Sequence, residues 1–195
     1  MTPALIAAHA NRLDGAEMGA PAVASVVHCA RANLKLGNDI CPVAELLRAG
    51  VNVALGTDGA ASCDRLDLWA EMRTAALIAK HVAADAAAVP AAAALAMATI
   101  NGARALGLDG EIGSLVAGKS ADVICVDLGR LEMQPMLDPL TRLVYAASSR
   151  DVSDVWVAGE HVVTNSELLR LDRGAIAAAA AAWGRRLGAG AQGEA

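Results

Sequence analysis

Three short apolar runs near the start of the chain each end in a titratable side chain: Ala4-Leu-Ile-Ala-Ala-His9, Ala24-Ser-Val-Val-His28 and Val51-Asn-Val-Ala-Leu-Gly-Thr-Asp58. Their length and β-branched content predict strands. Between the second and third, Pro42-Val-Ala-Glu-Leu-Leu-Arg-Ala-Gly50 predicts a helix, with proline near its start and glycine just past its end. Strand–helix–strand alternation implies a parallel sheet, and the runs then present His9, His28 and Asp58 at strand carboxyl ends, facing one mouth. The third run opens into Gly56-Thr57-Asp58-Gly59. An Asp there is where an α/β barrel keeps a catalytic or metal-binding carboxylate. Asp-Gly is also a common turn pair, and a lone His is commonly a packed or surface residue. Coincidence at three strand ends favours a site.

Further on, Leu66, Trp69, Met72, Ala76 and Leu77 share one face of a helix predicted from about Leu66 to Lys80, with Asp64 as its N-cap. Residues 83–98 are nearly all Ala and break at Pro90 into two helical pieces. Asn101 to Gly107 closes the helical part. Beyond it Gly110, Gly113 and Gly118 punctuate short segments, and Ala121 to Asp127 reads as a strand. Val152–Val157 and His161–Thr164 make a hairpin across Ala158-Gly159-Glu160. Ala175 to Leu187 reads as an Ala-rich helix before a Gly/Ala tail. The expected organisation is an α/β unit over residues 1–106, a small β appendage over 107–165, and a C-terminal helix and tail over 166–195.

Composition narrows the function classes. A net charge of -5 without a basic cluster argues against nucleic acid and anionic membrane surfaces as partners. No run is long enough to span a membrane, and the apolar start, Met1 to Ala8, lacks the charged leader of a signal peptide. Cys29, Cys41, Cys63 and Cys125 form no CxxC pair, so they read as reduced thiols in the core or in loops, and the expected location is cytoplasmic. His81 and His161 read as surface residues, and Lys35 as a solvated or loop-packing lysine. No GxSxG, P-loop or dinucleotide glycine fingerprint is present.

Longer stretches carry a resemblance. Ser25-Val-Val-His-Cys-Ala-Arg-Ala-Asn-Leu-Lys-Leu-Gly37, Ile40-Cys-Pro-Val43, Gly50 to Ser62 and Glu71-Met-Arg-Thr-Ala-Ala76 closely resemble the amidohydrolase superfamily. The likeness continues through Ala98 to Gly107, Ile112 to Asp122 and Val155-Trp-Val-Ala-Gly159. The nearest branch is that of the 5-methylthioadenosine/S-adenosylhomocysteine deaminases and the triazine chlorohydrolases. The resemblance implies the C-terminal part of a distorted TIM-type (β/α) barrel, comprising its last three strands, with a small β-sandwich built from both chain ends. It implies a hydrolase of non-peptide C–N bonds that uses one divalent metal, zinc or else iron, to activate a water. Asp58 matches the family's last-strand aspartate, which touches the metal and takes the proton from the attacking water. His9 matches the sixth-strand histidine, which hydrogen-bonds that water or the developing tetrahedral centre.

The sequence departs from this pattern in ways that matter chemically. The family's first-strand His-x-His pair and its fifth-strand His-x-x-Glu are absent. Arg12 stands where relatives often carry a second His, and Ala30 where proline is common. Catalytic zinc takes about three protein ligands and one open position. The remaining metal ligands are therefore expected outside this chain, which is read as N-terminally truncated. The expected substrate is a small aminopurine nucleoside such as 5-methylthioadenosine or S-adenosylhomocysteine. Triazine dechlorination and guanine-type deamination are alternatives. So is a catalytically inactive remnant, or one half of a split enzyme acting as an interaction module. The expected partners are a homo-oligomer or a missing N-terminal half.

Overall fold

A computed structural model describes residues 5–13 and 23–191. Its first region is a three-stranded parallel sheet in the order β1 (Leu5–Ala8), β2 (Val23–His28), β3 (Asn52–Leu55). Val26 pairs with Val53 and His28 with Leu55, so β2 and β3 end level. Helices α1 (Ala30–Lys35) and α2 (Val43–Arg48) lie between β2 and β3. A single turn, α3 (Ala60–Cys63), follows β3, and then come α4 (Leu68–Ala83), α5 (Ala91–Ala98) and α6 (Ile100–Leu106). The core forms where Val26, Val53 and Leu55 of the sheet meet Leu46 of α2, Met72, Ala75 and Ala76 of α4, and Met97 of α5. Alanine lets these helices approach closely, which makes up for the scarcity of aromatic side chains.

Asparagine side chains cross-link this region. The Asn101 side-chain N–H donates to the Val53 carbonyl at 2.9 Å, and the Asn52 side chain donates to Ser25 Oγ at 2.9 Å and to the Asn101 carbonyl at 3.0 Å. The strand starts are thereby tied to α6. The outer strand β1 keeps Leu5 and Ile6 exposed. Among the described residues no strand pairs with the outer edge of β1, and a strand edge flanked by apolar side chains is a surface able to pair with further chain.

The second region is an antiparallel sheet, β4 (Val123–Val126), β5 (Val152–Val157), β6 (Glu160–Thr164) and β7 (Glu167–Leu168), in sequential order. The turn between β5 and β6 places Ala158 and Gly159 at φ 50 and 82°, the left-handed pair that matches strand twist. None of these strands contains a fully buried residue. Helix α7 (Pro139–Tyr145) lies between β4 and β5 in the chain and packs on α4 and α5. The Trp69 indole N–H donates to the Leu143 carbonyl at 2.7 Å, the Arg73 guanidinium donates to the Val144 and Ala147 carbonyls, and Ser149 Oγ donates to Asp67 Oδ2 at 2.9 Å. Helix α8 (Arg173–Ala191) closes the described chain and is exposed nearly throughout residues 173–188, Trp183 included. Among the described residues, no helix is long and apolar enough to cross a membrane.

Several sequence expectations are corrected. Asp64 does not cap α4; it ends α3 with φ 61° and pairs with Lys35 Nζ at 2.7 Å. Lys35 is exposed, and besides this ion pair its Nζ donates to the Ala61 carbonyl at 3.4 Å. The cap of α4 is Asp67, whose Oδ1 accepts the Ala70 N–H at 3.1 Å. The buried face of α4 is Glu71, Met72, Ala75, Ala76 and Ala79, while Leu66 and Leu77 are exposed. Only one helical piece, α5, forms in residues 83–98; the stretch before Pro90 is a turn held by Lys80 Nζ on the Ala86 and Ala88 carbonyls. His161 is no free surface residue: it stacks on Trp156 with ring centroids 4.4 Å apart and meets Asp154 Oδ1 at 3.1 Å.

Candidate active site

The ends of the parallel strands gather the candidate residues. His9 follows β1, and its backbone N–H donates to the Val27 carbonyl at 2.9 Å, extending the sheet past the strand end. Asp58 follows β3 after Gly56-Thr57. Gly56 is required there by close approach, since a Cβ at that position would lie 2.7 Å from Val27 Cγ1 and 3.3 Å from Cys29 Sγ. His9 has φ 67° and Asp58 φ 60°. Non-glycine residues in this left-handed region are strained by about 1 kcal/mol or more, and such strain gathers at functional sites.

Both side chains turn toward the space above β2, where His9 Nε2 lies 3.9 Å from Asp58 Oδ2, and both are partly open to solvent. Asp58 Oδ1 accepts the Gly59 N–H at 2.6 Å, leaving Oδ2 facing the imidazole. On its far side His9 Nδ1 meets Asn33 Oδ1 at 2.9 Å, and the Asn33 amide N–H donates to Asn11 Oδ1 at 2.8 Å. Asn33 is fully buried on α1. A polar pocket of about 420 Å³ adjoins His9, walled by Asn11, Arg12, Asn38 and Asp39, with Arg12 and Asp39 ion-paired.

His28 behaves differently. It ends β2 between the other two, yet it is fully buried and neither ring nitrogen has a partner. Burial first, and the neighbouring His9 second, pull its pKa down to about 4. It is therefore neutral near pH 7 and lies beneath the mouth. Cys29 packs under the Asp58 loop as a neutral thiol, its pKa pushed up to about 11 by burial and then by the Asp58 and Glu71 charges. Glu71 Oε2 accepts the Arg31 N–H at 3.0 Å at the start of α1. Burial still raises its pKa, outweighing that hydrogen bond.

The structure thus brings His9 and Asp58 together and sets His28 apart. Asn33 carried no signal in the sequence reading. Its helix is too short for periodicity, and its partners lie 24 and 22 residues back.

Comparison with known proteins identifies the family. The chain belongs to the amidohydrolase family, whose model matches residues 4–162. It is 55% identical over 166 residues to the 5-methylthioadenosine/S-adenosylhomocysteine deaminase of Teredinibacter turnerae, a match covering 85% of this chain and 38% of the relative. A crystal structure of an adenosine deaminase from Xanthomonas campestris with bound zinc superposes with a TM-score of 0.90 at 48% identity, covering 93% of this chain and 42% of that one. The zinc complex of the atrazine chlorohydrolase TrzN from Arthrobacter aurescens TC1 gives a TM-score of 0.82 at 31% identity, covering 91% and 40% respectively. The chain therefore spans about two-fifths of the length of the relatives it matches.

Among the described residues, no three His, Cys, Asp or Glu side chains converge well enough to hold a metal ion. His9 and Asp58 are two donors, His28 is sealed below them, and the Cys29 thiol stays protonated. These residues do not by themselves fit a catalytic divalent metal, which takes about three protein ligands.

Proposed function

We propose that this chain supplies the Asp58–His9 side of the active site of an amidohydrolase that removes the amino group from an aminopurine nucleoside. 5-Methylthioadenosine and S-adenosylhomocysteine are the proposed substrates. The observation that carries this reading is the pair itself: two strand-end groups on left-handed backbone, facing each other across 3.9 Å. In this reading residues 1–106 are the last three strand–helix units of a distorted (β/α) barrel. Residues 107–165 are part of a β-sandwich, and 166–195 a C-terminal helix and tail. The exposed edge of β1, with Leu5 and Ile6, supports pairing with further barrel strands.

Asp58 Oδ2 is the general base. It takes a proton from the water attacking the ring carbon that bears the amino group, and later passes it to the departing ammonia. His9 Nε2 faces the same space and accepts a hydrogen bond from the attacking oxygen. Asp58 is also this chain's one contribution to a divalent metal, zinc or iron, whose other ligands belong to the portion of the relatives that this chain does not match. The proposed setting is a reducing cytoplasm, in keeping with four free cysteines, three of them buried. Self-association completes the proposal.

The test is ammonia release from 5-methylthioadenosine by the chain alone and by the chain co-expressed with the unmatched portion of the Teredinibacter deaminase, with metal content measured on each. Turnover and stoichiometric metal are expected in the second case only. Asp58→Ala is expected to abolish turnover by about 10³-fold or more, the scale on which a general base and charge stabiliser acts together. A folded, metal-loaded complex without turnover overturns the reading. It would favour the alternative in which the open β1 edge serves assembly alone.

A further inference from the structure

We propose that Asn33 is a positioning residue that sets the tautomer and the aim of the His9 imidazole. The inference rests on His9 being a site residue and deepens that reading. Neutral imidazole carries one proton, and the hydrogen bond made by one ring nitrogen decides which of the two holds it. Nδ1 of His9 lies 2.9 Å from Asn33 Oδ1. An amide oxygen only accepts, so Nδ1 must be the protonated nitrogen. Nε2 is then bare, with its lone pair turned to the space shared with Asp58 Oδ2. That tautomer accepts a hydrogen bond from a reacting O–H group; the opposite tautomer could only donate one.

The amide itself is held in this sense. Its N–H donates to Asn11 Oδ1 at 2.8 Å, so nitrogen points to Asn11 and oxygen to His9. Asn33 is fully buried, and its backbone is pinned on both sides: its N–H donates to the Cys29 carbonyl, and its carbonyl accepts the Asn38 N–H at 2.9 Å. The start of the same helix is anchored through the Arg31 N–H to Glu71 of α4. The packed core therefore reaches His9 by a short rigid path through α1. His9 needs such an anchor, because it sits on left-handed backbone beyond the strand end and its ring is partly exposed.

The tautomer is read directly from nitrogen-15 shifts and ring correlations of the labelled 195-residue chain at a pH where imidazole is neutral, with His9 assigned by its loss in His9→Gln. The wild-type His9 is expected to show a protonated Nδ1 and a bare Nε2. Asn33→Ala should move the proton to Nε2, which free imidazole side chains prefer. Asn33→Asp keeps an acceptor in place and should restore the wild-type pattern, a rescue that a merely space-filling role would not give. Asn11→Ala frees the amide to turn and should yield a mixture. A protonated Nε2 in the wild type overturns the inference, as does an unchanged pattern in Asn33→Ala. If Asn33→Ala does not fold, the wild-type and Asn11→Ala spectra decide it. No metal or substrate is needed, so a protonated Nδ1 in the chain beside a metal-loaded complex without turnover would overturn the proposed function and leave this inference standing.

Discussion

The two sheets of this protein treat the same residue types in opposite ways. In the parallel region Val26, Val53 and Leu46 are fully buried, and helices cover the sheet. In the antiparallel region the strands are half-exposed, and Ile124 and Val157 lie open. Strained groups follow the packing. His9 and Asp58 hold left-handed backbone where a dense core stands behind them. The left-handed positions of the antiparallel sheet, by contrast, are confined to its turns, at Ala158, Asn165 and Ser166. A site that needs side chains fixed in unfavourable backbone geometry is built where packing over-determines the chain.

Matched truncations test the contrast most strongly. Leu46→Ala should cost about 3 kcal/mol or more, the range for an aliphatic side chain removed from a full core. Val163→Ala, in the half-exposed sheet, should cost about 1 kcal/mol. Urea unfolding of the two variants measures both, and equal losses would erase the difference between the regions.

Acid should act on the parallel region through His28. Its folded-state pKa, about 4, lies below the ordinary value of 6.5, so between those pH values the unfolded chain binds the extra proton. Stability therefore rises with pH across this window and is lost as pH falls from 6.5 toward 4, by about 3 kcal/mol in all. His28→Gln should flatten that slope in urea titrations taken at each pH.

A smaller effect belongs to the seam between the regions. Burial raises the Asp67 carboxyl, but the Ala70 N–H, the Ser149 hydroxyl and Arg65 together outweigh it and hold its pKa below the usual range. Asp67→Ala should cost about 1 kcal/mol as a lost helix cap, read as a lower thermal midpoint. Smallest of all, and opposite in sign, Asp58→Gly should gain up to about 1 kcal/mol by relieving left-handed strain, while abolishing any turnover.

Much of the layout was legible in the sequence, because it rests on local signals. Apolar runs ending in His9, His28 and Asp58 marked the parallel strands, and the spacing around Ala158-Gly159 marked the hairpin. What was illegible depends on distant partners. Asp64 and Asp67 look alike to a reader seeking a cap. The choice falls to Asp67, whose other oxygen accepts a hydroxyl 82 residues away. His28 shares its sequence pattern with His9, yet it is fully buried while His9 stays partly exposed. The Trp156–His161 stack had a usable signal, since a two-residue turn sets those residues opposite each other.

The indole of Trp69 has an optical consequence. It is held at the join between the regions by one carbonyl of α7, whereas Trp156 lies on the antiparallel sheet and Trp183 on the exposed last helix. With Trp156 and Trp183 replaced by Tyr, emission from the remaining tryptophan would report separation of the two regions. A red shift arriving before the loss of helical circular dichroism would reveal them parting while each is still folded.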